Sequence, residues 1–206
     1  VNTQPNWKLP ILPPKAIAIG SSTGGPQTLA AIFAQLNGHL PQVPIFITQH
    51  MPPIFTTSLA TQISHHAGRN CHEPESGEKV ANDCIYLAPG DFHMVAERLS
   101  PTEVMLKLNK EPPENFCRPS VDVMLRSLSE AYGRHLLVII LTGMGSDGML
   151  GAKIAKEQGS VVLAQNQETC VVYGMPKAVV DAGLADLTLP AGDIAAYILS
   201  CYGIIL

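Results

Sequence analysis

Short apolar runs alternate with stretches of helical period along most of this chain, and no other feature restricts its fold as strongly. Ala16 to Ile19 (AIAI), Val43 to Thr48 (VPIFIT), Leu136 to Leu141 (LLVIIL) and Ser160 to Ala164 are almost continuously apolar, as strands covered on both faces must be. Behind the first run, Pro26 suits a first helical position, and Leu29, Ile32, Phe33 and Leu36 follow at i, i+3, i+4 and i+7. Val121, Met124, Leu125 and Leu128 repeat that spacing, and further helices are predicted near residues 55–65 and 147–158. The pattern implies an α/β fold, a doubly wound and mostly parallel sheet with helices on both faces. Its middle breaks the rhythm. Cys84 to Ala88, Phe92 to Ala96 and Glu103 to Leu108 are close-spaced strands with no helix between them, so an antiparallel hairpin region is predicted there. Residues 110–118 read as a polar loop. Residues 1–14, with four prolines and no periodicity, read as an extended linker stub before a folded domain at 15–206.

Composition closes off several classes of function. At 206 residues, 46% hydrophobic and 15% charged, the chain has the apolar content for one well-filled core and too little charge for a disordered polymer. No apolar run approaches the ~20 residues of a membrane-spanning helix, so no membrane insertion is expected, and no stretch near the start reads as a signal peptide. The net charge of −4 comes from 13 basic and 17 acidic side chains without a basic cluster, which argues against nucleic acid as a partner. Five scattered cysteines (Cys71, Cys84, Cys117, Cys170, Cys201) form no CxxC pair, so reduced thiols in a cytoplasmic protein are expected. The first residue is Val1 rather than Met, which suggests a fragment or a processed chain.

In open α/β sheets, chemistry gathers outside the carboxyl ends of the strands. The segments that follow the strongest strands are Gly20-Ser21-Ser22-Thr23-Gly24-Gly25, Gln49-His50-Met51-Pro52-Pro53 and Thr142-Gly143-Met144-Gly145-Ser146-Asp147-Gly148. A serine, a histidine and an aspartate thus emerge at three strand ends. A serine hydroxyl needs a base to take its proton, and that base needs a third group to orient it. Gly20 to Gly24 also fits G-x-S-x-G, the sharp turn that exposes a nucleophilic serine. A phosphate-cradling turn and a plain structural turn would look similar, and Ser21 competes with Ser22, although only Ser22 has both flanking glycines. Gly143 to Gly148 matches G-x-G-x-x-G, but the acidic ribose ligand expected about 20 residues later is replaced by Ala164-Gln165-Asn166-Gln167, which weakens a dinucleotide reading. Asp147 would instead be kept ionised by the start of its own helix. His65, His66, Cys71 and His72 are a tempting metal group, yet adjacent histidines cannot face one side of a helix, and no metal or organic cofactor is expected. His93 and His135 read as structural.

Six segments in order resemble the catalytic domain of the bacterial chemotaxis protein-glutamate methylesterases: Ile19 to Pro26, Gln49 to Pro53, Leu87 to His93, Arg118-Pro119-Ser120-Val121-Asp122, Leu141 to Gly148, and Tyr173-Gly174-Met175-Pro176. The resemblance runs from about Lys15 to Leu206. It implies a serine hydrolase that removes methyl groups from γ-glutamyl methyl esters of chemoreceptor cytoplasmic helices, releasing methanol. It also implies deamidation of receptor glutamines, the same acyl transfer with ammonia leaving. Carried over to this chain, Ser22 would be the nucleophile, His50 the general base and then acid, and Asp147 the orienting carboxylate. Thr23 would line the site, and the Met144 backbone N–H would face the oxyanion. The family usually also carries a receiver domain, for which nothing in these residues has a counterpart. Ile54 stands where the family commonly has glycine, and Cys170 where it commonly has serine. Because acidic receptor helices need basic groups near the cleft, Arg69, Lys79, Arg98 and Arg118 are candidates to meet them. The competing class is a non-catalytic receptor-binding module on the same scaffold.

Overall fold

The computed structural model describes residues 5–205. The chain runs β1 (Ala16–Ser21), α1 (Gly25–Leu36), β2 (Ile45–Gln49), α2 (Pro53–Ala67), β3 (Cys71–His72), β4 (Glu78–Lys79), β5 (Ile85–Leu87), β6 (His93–Ser100) and β7 (Glu103–Asn109). It continues with α3 (Val121–Tyr132), β8 (Leu136–Ile140), α4 (Met149–Glu157), β9 (Val161–Gln165), α5 (Met175–Asp181), β10 (Leu187–Leu189) and α6 (Ala191–Ser200). Seven strands form one sheet in the order β10-β9-β8-β1-β2-β5-β3, and every neighbouring pair in it is parallel. A separate antiparallel sheet has the order β4-β7-β6. The doubly wound expectation holds. None of the described helices is long and apolar enough to cross a membrane.

The middle of the chain departs from expectation in one respect. β6 and β7 form the expected antiparallel hairpin, but Ile85–Leu87 pairs parallel with both β2 and β3 inside the main sheet. Those three residues are wholly buried, so they belong to a two-faced sheet, and their shortness hides that in the sequence. The strand β3 that partners them is only two residues long, too brief to leave a periodicity. The linker reading of 1–14 falls partly outside the described residues, at 1–4. Residues 5–14 have no regular helix or strand, yet they lie against the domain. Trp7 meets Tyr197 edge-on, and the Tyr197 and Tyr202 hydroxyls donate to the carbonyls of Lys8 and Pro14.

β1 shows how the period-2 pattern builds two cores. Ile17 and Ile19 face α1, α2 and α6, while Ala16 and Ala18 face α3, α4 and the small sheet. The small side chains on the second face let α3 come close: a Cβ on Gly20 would lie 2.5 Å from a Val121 methyl. That close approach carries the amino end of α3 up to the carboxyl ends of β1 and β8. The chain winds from β1 outward through β2 to β3 on one side and from β8 through β10 on the other. The order therefore reverses between β1 and β8, where doubly wound sheets open a crevice.

Candidate active site

Ser22 follows β1, His50 follows β2, and the segment 141–147 follows β8. In the parallel register Ser21 lies opposite Gln49 and Gly20 opposite Ile140, so Ser22, His50 and Thr142 are the next residues in three adjacent strands. Backbone hydrogen bonds continue the pairing, from His50 N–H to the Ser21 carbonyl at 3.1 Å and from Ser22 N–H to the Thr142 carbonyl at 3.0 Å. The segment around Gly143 lies directly on the serine turn: a Cβ at Gly143 would be 2.7 Å from the Ser22 Cβ and 2.5 Å from the Met175 sulfur. The Gly143 carbonyl in turn accepts the N–H groups of Gly174 and Met175. The Tyr173-Gly174-Met175-Pro176 motif thus serves as a backstop for the β8 turn.

The two candidate serines separate clearly. Ser21 is buried and its hydroxyl donates to Gln49 Oε1 at 2.5 Å, while Gln49 Nε2 donates to the Ser22 carbonyl at 2.9 Å. Ser21 is therefore occupied in holding the turn. Ser22 is half-exposed, and its hydroxyl makes no hydrogen bond among the described residues. Gly24, at φ 82, turns the chain into α1, a left-handed conformation that glycine adopts without cost. Thr23 is exposed. Neither the Thr23 nor the Met144 backbone N–H has a partner among the described residues, which leaves two donors free beside the serine.

His50 Nε2 donates to Asp147 Oδ2 at 2.6 Å. Asp147 is 1% exposed, and its carboxylate is saturated. Oδ2 also accepts Val121 N–H at 2.7 Å, and Oδ1 accepts Asp122 N–H at 2.9 Å, the Ser120 hydroxyl at 2.9 Å and Asn115 Nδ2 at 3.0 Å. The sequence reading put Asp147 at the start of its own helix. The structure corrects this, since α4 begins at Met149 behind Gly148 and the carboxylate sits at the amino end of α3. The exchange is reciprocal. Asp122, in the first turn of α3, accepts the N–H groups of Gly148 and Gly151 at the start of α4. Asp147, just ahead of α4, satisfies orphan donors at the start of α3, and Asp122 of α3 satisfies those at the start of α4; Asn115 bridges the two by donating to Asp122 Oδ2 as well.

These contacts set the charges. Burial alone would raise the Asp147 pKa, but the hydrogen bonds from His50 and from the Asp122 and Val121 backbones outweigh it and hold it below the usual carboxylate value. Burial also pulls His50 down, against the Asp147 and Cys117 hydrogen bonds, and these raise it to about 9. Asp122 is shifted up, by burial first and then by the charge of Asp147.

With Nε2 committed to Asp147, Nδ1 is the ring nitrogen left to accept a proton. It faces the Cys117 sulfur at 3.6 Å rather than Ser22. Cys117 and Asn115 were not foreseen as site residues. Both lie in the 110–118 segment read only as a polar loop, where Asn115 and Phe116 adopt φ values of 53° and 63°. His50, Met51, Pro52, Pro53, Cys117 and Arg118 line an open cleft of about 520 Å³, with the Phe116 side chain fully exposed on its wall and Ile54 exposed just beyond Pro53.

Of the four basic candidates, Arg118 alone lines this cleft, paired with Asp91. Arg69 donates to the Leu40 and Pro41 carbonyls, Lys79 pairs with Glu103, and Arg98 donates to the carbonyls of Ala131, Ser100 and Pro101. His65, His66, Cys71 and His72 form no three-ligand group among the described residues, and His72 instead bonds Glu78. His93 is buried between the Ser120 N–H and the Pro112 carbonyl. At the end of β9, where a dinucleotide site needs an acid, Gln165 accepts from Thr142 N–H and donates to the Thr169 carbonyl.

A half-exposed serine, a histidine held by a buried carboxylate and two free backbone N–H groups at the switch point of a doubly wound sheet are the parts of a serine-hydrolase-type α/β domain. Residues 17–198 match the family model described as CheB methylesterase. The chain belongs to that family. It is 50% identical over 187 residues to a protein-glutamate methylesterase/protein-glutamine glutaminase of Rhodospirillum rubrum, an alignment covering 90% of this chain and 48% of that protein. A relative of the same name from Azospirillum brasilense is 48% identical over 186 residues, covering 90% of this chain and 47% of the relative. The chain spans about half the length of the curated relatives it matches. The crystal structure of the Thermotoga maritima CheB methylesterase catalytic domain superposes with a TM-score of 0.85 at 42% identity, covering 91% of this chain and 98% of that one.

Proposed function

We propose that this chain is a protein-glutamate methylesterase domain that hydrolyses γ-glutamyl methyl esters on the cytoplasmic helices of chemoreceptors, working in the cytoplasm and releasing methanol. In this reading Ser22 attacks the ester carbonyl as His50 takes its proton through Nδ1. Asp147 holds the ring by Nε2 and stabilises the imidazolium that forms. The Thr23 and Met144 N–H groups face the developing oxyanion, where each such donor is typically worth ~100–1000-fold in rate. His50 then returns the proton to the departing methoxide, and water, activated by the same imidazole, hydrolyses the acyl-enzyme. Deamidation of receptor glutamines follows the same path with ammonia leaving. A receiver domain elsewhere in the full-length protein would be the regulatory partner.

The observation that carries this reading is the 2.6 Å bond from His50 Nε2 to a saturated, buried Asp147, one strand away from the half-exposed Ser22. The test is methanol release from methylated receptor. Ser22→Ala is expected to abolish it without altering the fold. Substantial residual release would remove Ser22 as nucleophile, and no release from the parent chain would favour a non-catalytic receptor-binding module.

A further inference from the structure

The contact between His50 Nδ1 and the Cys117 sulfur has a use that ester hydrolysis does not require. From this geometry we propose a zinc site formed by His50 Nδ1 and Cys117 Sγ, at which zinc switches the hydrolase off. A tetrahedral zinc with bonds of about 2.3 Å to sulfur and 2.0 Å to nitrogen holds those two atoms about 3.5 Å apart. In the protein they are 3.6 Å apart, the separation of two ligand atoms on one zinc. The histidine is also set up as zinc-binding histidines are. Its other ring N–H is given to a carboxylate, which leaves Nδ1, on the Cys117 side, as the nitrogen available to a metal.

A ligand atom from each of His50, Cys117 and Asp147 lies within 4.8 Å of the other two. Asp147 is nevertheless the outer partner, because both its oxygens are already filled by hydrogen bonds. His50 and Cys117 both line the open cleft, so water can complete the coordination. A thiol and an imidazole select a borderline or soft divalent ion such as zinc over magnesium or calcium, which need oxygen donors. On binding, the thiol and the protonated His50 Nδ1 each release a proton to solvent and the sulfur–zinc and nitrogen–zinc bonds form, with no change of oxidation state. Metal binding stands on this geometry alone. Inhibition rests on the proposed function, since zinc on Nδ1 occupies the lone pair that would take the Ser22 proton.

The test is calorimetric titration of zinc chloride into the chelator-treated chain, beside Cys117→Ser and Cys117→Ala. One zinc per chain is expected, with affinity falling by at least about tenfold in both variants, the loss that outer partners alone cause. Cobalt(II) should give a sulfur-to-metal charge-transfer band in the parent chain and not in Cys117→Ser, and magnesium should give no heat. Absence of zinc binding, or zinc binding in both variants as strong as in the parent, overturns the site. In a parallel assay on a small ester, each protein is compared with its own metal-free rate, and zinc should inhibit only the parent. Zinc that binds through Cys117 yet leaves hydrolysis untouched would uphold the metal site and contradict His50 as the base.

Discussion

The two ends of the proposed proton relay are built to different standards. Asp147 is buried, accepts five hydrogen bonds, and is fixed to the amino end of α3 by two backbone N–H groups. Ser22 is half-exposed, its hydroxyl is unbonded among the described residues, and the nitrogen it needs is facing Cys117. On the proposed mechanism, the difference means that the orienting end of the chemistry is fixed in advance and the nucleophilic end is left to be completed when substrate enters. Rigidity is placed where reorganisation would cost most, around a desolvated charge. The serine turn keeps only its backbone fixed, through Gln49 and Gly143.

The contrast is broken most directly by deleting one side chain at each end. Asp147→Ala strands Val121 N–H, Asp122 N–H, the Ser120 hydroxyl and the Asn115 amide, and breaks a buried pair. A loss of about 3–5 kcal/mol is expected in urea unfolding. Ser22→Ala, which removes no bond, is expected within about 0.5 kcal/mol of the parent. Equal losses at the two positions would mean that the ends are not built differently.

The pH profile sharpens the comparison next. With His50 raised to about 9, most of the imidazole is protonated at neutral pH and unable to act as a base. The kcat/KM on a small ester should therefore climb about tenfold per pH unit from 7 and level off near 9. Because Cys117 is among the groups that raise His50, Cys117→Ser should move this limb to lower pH. The linkage runs the other way for stability. A histidine raised from 6.5 to about 9 contributes stability that is fully present below 6.5 and lost as pH rises through 9. A profile already flat above pH 7 would contradict the anchoring of His50 by Asp147.

Asn115 gives the finest resolution. Asn115→Gly keeps the positive φ at no strain but removes the amide between Asp122 and Asp147. A loss of about 1–3 kcal/mol is expected, because Asp122 Oδ2 is left without a partner. As a positioning residue, its loss should lower kcat while leaving KM nearly unchanged. A change in KM alone would place Asn115 in substrate binding instead.

The sequence made the sheet legible because five-residue runs such as Leu136–Ile140 are apolar on both faces, and it made the strand ends legible because function in such sheets collects there. On that basis Ser22, His50 and Asp147 are candidates, with Ser21 still competing, and the family resemblance is what assigns them their roles. Ile85–Leu87 was misplaced because three buried residues carry no period that separates a parallel strand from a hairpin. The support of Asp147 was also hidden. An aspartate two residues before a helix reads as belonging to that helix, and only the close packing of α3 on Gly20 shows that it caps a different one. Cys117 and Asn115 sit in a segment without periodicity, where sequence shows polarity but not direction. Ser120 and Asp122 were visible as parts of a motif whose role appeared only with the reciprocal helix capping.

The most direct test of the central idea, that a carboxylate-anchored imidazole serves Ser22, is labelling with a serine-directed fluorophosphonate followed by peptide mapping. The account predicts one adduct, on Ser22, with labelling nearly lost in a folded His50→Ala variant. An adduct on another residue, or Ser22 labelling that is undiminished without His50, would contradict it.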